Sequence, residues 1–418
     1  IFPRHQFRTN WLHALGWLYI AYARMHEVAS HFQSPVIAPD GYPVLKEGES
    51  CSDREIWRYV EFTKFCGEQP MTQQRLYQFV ETLLPSWRKT RLKVLALGAQ
   101  GLMRRRRLTL SGIARGMDSP SRVIHRVKRL WRFINNAAID PREVVTALAG
   151  EAFSVRKEGL VPVIFDETGL KDNAMLLGAA VCYKGRALPL ALWAYHGVAL
   201  KHSLWKFREG LLSLILYSLP KPERSRLLFI ADRGYAASHF FHRLLKAKVA
   251  FVIRVPRRVL FQMSNQVHRL EELAADLNPG DCIFLTDICY GPAKAKLNLL
   301  LWWEAGQKEP WLLATTLRNA EQVRTQYRLR MRIEELFKDF KHTFALESCQ
   351  CQTLHRITQI ALFALIAFWA LALLVRYPAN WTRYITARGK LSFLSLALEW
   401  LDASPPVRRI LRLEVQSG

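Results

Sequence analysis

The sequence predicts an α/β protein: a mixed sheet with flanking helices, a β-rich insertion, and a helical N-terminal domain ahead of it. Three observations lead there. From Val161 onward the chain breaks into short runs of Val, Ile, Leu, Phe and Ala with Gly and Lys at the turns, which is strand texture. Stretches of helical periodicity alternate with those runs, so the sheet must be mixed and carry helices on it. Ahead of them, residues 71 to 150 hold sixteen Lys/Arg against four Asp/Glu, in segments that read as helices.

Residues 1–70 differ in charge from the rest of the chain. They carry seven Lys/Arg against eight Asp/Glu and begin with Ile, so we expect an appendage or upstream sequence read in frame. Within them Arg4 and Arg8 precede WLHALGWLYIAYA, which superficially resembles a secretory signal, although export is not the favoured reading. Residues 71–155 form the helical basic domain. From Leu108 to Asn136 we expect a short helix, a turn at Asp118, Ser119 and Pro120, and a longer helix. Val123, Ile124, Val127, Leu130, Trp131 and Ile134 recur there at helical spacing, and Arg122, Arg126, Arg129 and Arg132 occupy other faces. This pattern resembles a helix-turn-helix DNA-binding unit. A basic helix packed by its apolar stripe is the alternative; the cluster Arg104 to Arg107 favours DNA contact.

The core is expected over 156–256 and 319–376. VPVIFD, AMLLGAAVCYKG and ALPLALWAYH are three consecutive strands, followed by a helix from Lys201 to Tyr217 and the strand LLFIAD ending at Asp232. A helix near Ala236 to Lys246 and the strand AFVIRV come next. Residues 257–318, with CIFLTDICY, KLNLLLWW and WLLATTL, form the β-rich insertion, and 377–418 a C-terminal helical segment. Ile357 to Val375 contains no charged residue over 19 positions, close to the length of a membrane span. Thr358 and Gln359 lie inside it and it stands alone, so we read it as a buried core helix and expect no membrane association.

Charge narrows the partners. A formal net charge of +25 and a pI near 10.1 are extreme for a metabolic enzyme and point to a polyanion, with nucleic acid simpler than an acidic membrane. Seven cysteines, with only Cys349 and Cys351 closely spaced, fit neither a disulfide framework nor a zinc site of paired CxxC motifs, and so suggest a reducing cytoplasm.

The chemistry centres on YRLRMRIEELFKDFK. Tyr327, Arg330, Glu334 and Lys341, at offsets 0, 3, 7 and 14, are expected on one face of one helix, with Leu329, Ile333, Leu336, Phe337 and Phe340 packing beside it. A carboxylate flanked by two cations and a phenol suits a divalent metal held against a phosphate backbone; a solvated charged face is the bland alternative. Asp166 closes the first strand and Asp232 the fourth, so the two meet at one edge if those strands are neighbours, with Glu334 as third ligand. Each Asp alone also fits a turn or helix cap.

That order carries a resemblance. Asp166 on the first of three strands, a helix, Asp232 in ADRGY, an insertion, then Tyr-x2-Arg-x3-Glu-x6-Lys resemble the ribonuclease-H-like DDE transposases. More narrowly the chain is similar, over about residues 75 to 375, to the bacterial cut-and-paste insertion-sequence transposases with the YREK signature. The resemblance implies a ribonuclease-H-like core in which Asp166, Asp232 and Glu334 are catalytic and bind Mg²⁺, with Mn²⁺ as a substitute and two ions expected. It implies that Tyr327, Arg330 and Lys341 grip transposon-end phosphates and that Trp311 stacks on a flipped base; a buried strand aromatic is the alternative for Trp311. Double-stranded DNA, both transposon ends and target, is the implied partner, with Arg122, Arg126 and Arg129 contacting it. A homodimer in the synaptic complex, a hairpin intermediate and a nucleoid-associated bacterial cytoplasmic location are also implied. A metal-dependent nuclease or recombination factor, or a catalytically dead DNA-binding protein, are the rival readings. Glu167, Asp172 and Glu335 stand near the chosen carboxylates, and spacing selects Asp166 and Glu334.

Overall fold

The computed structural model describes residues 73–154, 158–170, 174–183, 186–197 and 204–375, with Leu394, Ala397, Leu398 and Leu401 beyond them. The expected appendage over 1–70 lies outside the described residues, as does the segment 377–418 apart from those four helical, buried positions.

Among the described residues five helices come first: α1 (Gln73–Leu83), α2 (Lys89–Arg105), α3 (Leu110–Gly116), α4 (Val123–Ile134) and α5 (Pro141–Ser154). Thr109 caps α3 by accepting the Gly112 N–H at 3.0 Å. α2 and α3 touch backbone to backbone, because a Cβ on Gly101 would stand 2.2 Å from the Ile113 carbonyl oxygen and one on Gly116 2.2 Å from that of Gly101. Only glycine fits at that crossing.

The sheet comes next. β1 (Val161–Gly169), β2 (Ala174–Tyr183) and β3 (Arg186–His196) are antiparallel neighbours. A helix α6 (Leu204–Ser218) leads to β4 (Leu227–Ala231), and α7 (Ser238–Lys246) to β5 (Ala250–Arg254). β4 pairs parallel to β1 and β5 parallel to β4, as each crossover helix requires. The order β3-β2-β1-β4-β5, with helices on it, is the ribonuclease-H-like arrangement anticipated from the sequence.

The expected insertion, 257–318, holds β6 (Leu260–Met263), β7 (Gln266–Arg269), α8 (Leu270–Ala275), β8 (Cys282–Tyr290), β9 (Ala295–Trp302) and β10 (Trp311–Thr315). Rather than standing apart, these strands extend the core sheet into ten: β10 pairs antiparallel with β5 on one edge and β9 on the other. The run WLLAT permits this, since a central strand is covered on both faces and its Thr315 hydroxyl donates to the Phe251 carbonyl of β5 at 2.8 Å.

One expected helix is broken. The single helix through YRLRMRIEELFKDFK is divided into α9 (Ala320–Arg328) and α10 (Met331–Lys338), followed by a π-helical turn at Asp339–Thr343. At the join the chain tightens, with the Arg330 N–H bonded to the Tyr327 carbonyl at 2.9 Å and the Ile333 N–H to that of Arg330 at 3.2 Å. Beyond α10 it widens, with the Phe344 N–H reaching the Asp339 carbonyl at 3.3 Å. Tightening and widening change the rotation per residue, in opposite senses, along the segment that carries the four signature residues.

The uncharged segment forms α11 (Leu354–Val375), long and apolar enough to cross a membrane by length and composition, yet packed between β3 and helices of the N-terminal domain. Its polar groups find partners inside the protein except Gln359 Oε1, which is buried without one. Thr358 Oγ1 accepts the Ala194 N–H at 3.0 Å, Gln359 donates to the Ile139 carbonyl at 2.7 Å, and the Trp369 indole to that of Pro189 at 2.6 Å. A helix covered on all sides has no polar face to display.

Candidate active site

The register of the two central strands brings the first pair of carboxylates together. Phe165 of β1 lies beside Ala231 of β4 as the last paired residues, so Asp166 and Asp232 come next at the same level of adjacent parallel strands. On the other side, Asp166 faces Gly178 of β2. A Cβ on Gly178 would approach the Phe337 ring to 2.7 Å, so the bare glycine lets α10 settle onto the sheet there. Glu334 precedes Phe337 by three residues on that helix, and the same contact carries it to Asp166.

Arg330 joins the set. Its Nη1 lies 3.3 Å from Asp166 Oδ2 and its Nη2 donates to Glu334 Oε1 at 2.7 Å. Tyr327 and Asp232 also lie within its electrostatic reach. Asp166 Oδ1 accepts the Glu167 N–H at 2.8 Å. Burial pushes the Asp166 carboxyl up from 3.8 to about 6, with Asp232 and Glu334 adding to the rise against the Glu167 N–H and Arg330. Asp232 Oδ1 is buried with no hydrogen-bond partner.

Among the described residues no three His, Cys, Asp or Glu side chains stand close enough to hold one metal ion as they are, and the Arg330 guanidinium lies between two of the expected ligands. The donor chemistry nevertheless fits a hard divalent cation. Three carboxylates supply only oxygen, one of those oxygens is buried and unpaired, and their mutual repulsion is what a cation relieves.

The neighbouring acids are committed elsewhere. Glu167 is held by Arg208 at 2.6 Å and by the hydroxyls of Tyr195 and Tyr235. Glu335 pairs with Arg332 at 2.7 Å and Arg186 at 3.6 Å. Asp172 lies outside the described residues.

The other signature residues separate. Tyr327 is buried, hydrogen-bonded to Arg330 and packed edge-on against Trp311 with ring centroids 4.9 Å apart; burial raises its phenol well above the ordinary range. Trp311 is half-buried, with Trp302 on it edge-on at 5.1 Å. Lys341, in the π-helical turn, pairs with Glu347 at 3.3 Å. Thus Tyr327, Arg330 and Glu334 gather around the two aspartates, while Lys341 is engaged by Glu347.

In the N-terminal domain the helix, turn and helix fall where expected, but the buried side of α4 is not the expected stripe. Leu130, Phe133 and Ile134 are buried, whereas Val123, Ile124 and Trp131 are exposed by 41%, 56% and 44%. Arg126 explains the rotation. Its guanidinium turns inward and donates to the carbonyls of Met117 at 2.7 Å, Ser121 at 2.7 Å, Ala114 at 3.3 Å, and Ser119, stitching the turn. Arg126 is therefore a turn-holding residue here. Arg122 is exposed at the start of α4 and Arg129 half-buried along it.

Gly178, Arg208, Tyr195 and Tyr235 were not anticipated. An isolated glycine inside the apolar run AMLLGAAV is a known mark of close approach, and Arg208 falls on the buried stripe of α6 with Leu211, Leu212 and Ile215. Both signals were present in the sequence.

Residues 212–370 match the family model described as Transposase DDE domain. The match spans Asp232, Trp311, Tyr327, Arg330, Glu334 and Lys341, begins within α6, and supports a DDE transposase family, whose substrate is DNA. No curated protein matches the chain.

Proposed function

We propose that this chain is a cut-and-paste DNA transposase of the YREK-signature group, which binds terminal inverted repeats and cuts and rejoins DNA at Asp166, Asp232 and Glu334. One observation carries the reading: Arg330 bridges Asp166 and Glu334 beside Asp232, uniting a residue inside β1, the end of β4 and a distant helix in a single acidic centre. β1 runs three residues past Asp166, where the sequence suggests a strand end. The family match over residues 212–370 supports it independently.

Asp166, Asp232 and Glu334 would hold Mg²⁺, or Mn²⁺ in its place, most naturally two ions. Bound there, the ions supply Lewis-acid stabilisation of charge developing on the phosphodiester and activate the attacking oxygen. The side chains do the rest. Arg330 neutralises the carboxylates in the absence of substrate and is positioned to turn its guanidinium to an incoming phosphate, for which its planar fork is suited. Tyr327, buried and bonded to Arg330, orients that fork. Lys341 contacts the same strand farther along, and Trp311 offers a partly exposed ring near Tyr327 against which an extruded base stacks. Water attacks first, and the freed 3′ hydroxyl then attacks the opposite strand to give a hairpin. The hairpin is reopened before both ends join a target.

Residues 71–155 recognise the ends, with Arg122 and Arg129 contacting phosphates, in a homodimer that synapses two ends in the bacterial cytoplasm at the nucleoid. Residues 156–256 and 319–376 make up the catalytic core, and 257–318 are an insertion within it. Incubating the purified chain with Mg²⁺ and duplex DNA carrying the inverted repeats of its own locus tests this function. Hairpin-ended excised product is expected. Nicking without strand transfer, or binding without cleavage, contradicts it.

A further inference from the structure

One guanidinium ties together the segments that carry the first two carboxylates. Arg208, buried on α6, donates from Nε to Glu167 Oε1 at 2.6 Å and from Nη2 to Oε2 at 3.1 Å. Its Nη1 donates to the Gly234 carbonyl at 2.8 Å. Glu167 directly follows Asp166 on β1, and Gly234 lies two residues past Asp232 in the turn after β4. The same fork therefore grips both sides of the acidic centre.

The grip leaves little freedom. Tyr235 donates to Glu167 Oε1 at 3.2 Å and Tyr195, from β3, to Oε2 at 2.8 Å, so each carboxylate oxygen receives two hydrogen bonds. The guanidinium also lies over the Tyr235 ring at 4.3 Å and the Trp205 ring at 5.0 Å. Side-chain exposure is only 9% for Arg208 and 15% for Glu167. A bidentate pair fixes both distance and plane, and at this burial neither charge can let go without a large penalty.

We infer that Arg208 and Glu167 are positioning residues that set the separation and orientation of Asp166 and Asp232 for a divalent cation, with Tyr195 and Tyr235 locking the pair. The inference rests on the reading of those aspartates as metal ligands. Neither Arg208 nor Glu167 touches the cation or the DNA; they act through the backbone on either side of the ligands. Partners of this kind, one step removed from a metal, change its affinity about 10–100-fold when lost.

The test measures Mn²⁺ binding to the full chain without DNA, by the loss of the free-ion electron paramagnetic resonance signal, alongside circular dichroism for folding. Arg208→Lys keeps the charge and loses the fork; it is expected to remain folded and to weaken Mn²⁺ binding about 10–100-fold. Tyr195→Phe, which removes one hydroxyl and preserves packing, is expected to weaken it in the same direction by less. A folded Arg208→Lys protein with wild-type Mn²⁺ affinity overturns the inference. Should that variant not fold, wild-type affinity in the Tyr195→Phe/Tyr235→Phe double variant overturns it instead. Asp232→Asn separates the two levels. If it loses Mn²⁺ while Arg208→Lys does not, only the positioning role falls; if it binds Mn²⁺ as wild type does, the metal reading falls and the inference with it.

Discussion

Replacing Asp166 with Asn is expected to stabilise the protein in metal-free buffer at pH 7.5 while ending DNA cleavage. The size of the effect comes from the Asp166 carboxyl, which burial moves from 3.8 to about 6. Because the folded-state value lies above the unfolded one, the folded protein binds more protons between them. Stability is therefore lost as pH rises through that window, and the cost is complete above about pH 6. At about 1.4 kcal/mol per unit the shift corresponds to about 3 kcal/mol. The side chain retains 21% exposure, and solvent screening reduces this to roughly 2 kcal/mol. Asn mimics the protonated acid and can still accept the Glu167 N–H through its side-chain oxygen. The attraction of Arg330 for the carboxylate already opposes the rise, so it is included in that sum. Urea unfolding with a chelator present, at pH 7.5 and pH 4, measures the difference. The Asp166→Asn protein should gain about 2 kcal/mol at pH 7.5 and almost nothing at pH 4. Equal or lower stability at pH 7.5, or a gain independent of pH, would rule out a buried, charge-strained Asp166.

Other substitutions probe the surrounding architecture. Gly178→Val places methyl groups where the Phe337 ring lies 2.7 Å from a Cβ, so α10 must retreat; we expect a loss of about 1–3 kcal/mol in thermal unfolding and a larger loss of cleavage as Glu334 moves off Asp166. Arg126→Ala frees four carbonyls of the turn before α4 and should cost about 2 kcal/mol in stability, whereas Arg122→Ala should leave stability unchanged and weaken DNA binding with a shallower salt dependence in a filter-binding assay. Gln359→Leu leaves the buried Ile139 carbonyl without its donor but also removes the unpaired Gln359 Oε1, so denaturant unfolding should show a loss of only about 1 kcal/mol.

The strands themselves were legible because apolar runs bounded by turn residues mark them, whereas the neighbouring of the first and fourth strands, on which the meeting of Asp166 and Asp232 depends, was left conditional by the residues and came only with the family resemblance. Glu334 was legible through its spacing to Arg330, four residues earlier, which survives in α10. What periodicity could not supply was the change in winding on either side of that helix, since the tight join and the π-helical turn arise from tertiary packing. Leu108 donates to the Phe344 carbonyl at 2.9 Å and Phe340 packs on Phe368 at 5.6 Å, contacts that anchor the end of the turn. The same limit applied to α4. Its apolar residues occupy more than one face, and the choice of the buried one depended on Arg126 reaching carbonyls of the preceding turn. Charge count marked Arg126 as a DNA contact, because composition says nothing about whether a guanidinium faces water or backbone. Continuity of the insertion with the core was likewise hidden, since WLLAT gives no sign that β5 lies on its other edge.

If the proposed chemistry is right, Glu334 cuts together with Asp166 and Asp232, while Glu335, tied to Arg332 and Arg186, does not. Mg²⁺-dependent cleavage of a duplex bearing the inverted repeat of the locus, measured for Glu334→Ala and Glu335→Ala beside wild type, distinguishes the two carboxylates. Glu334→Ala should bind the duplex but leave it uncut, and Glu335→Ala should cut it at close to the wild-type rate. Cleavage retained in Glu334→Ala, or lost in Glu335→Ala alone, would show that the cutting centre lies elsewhere.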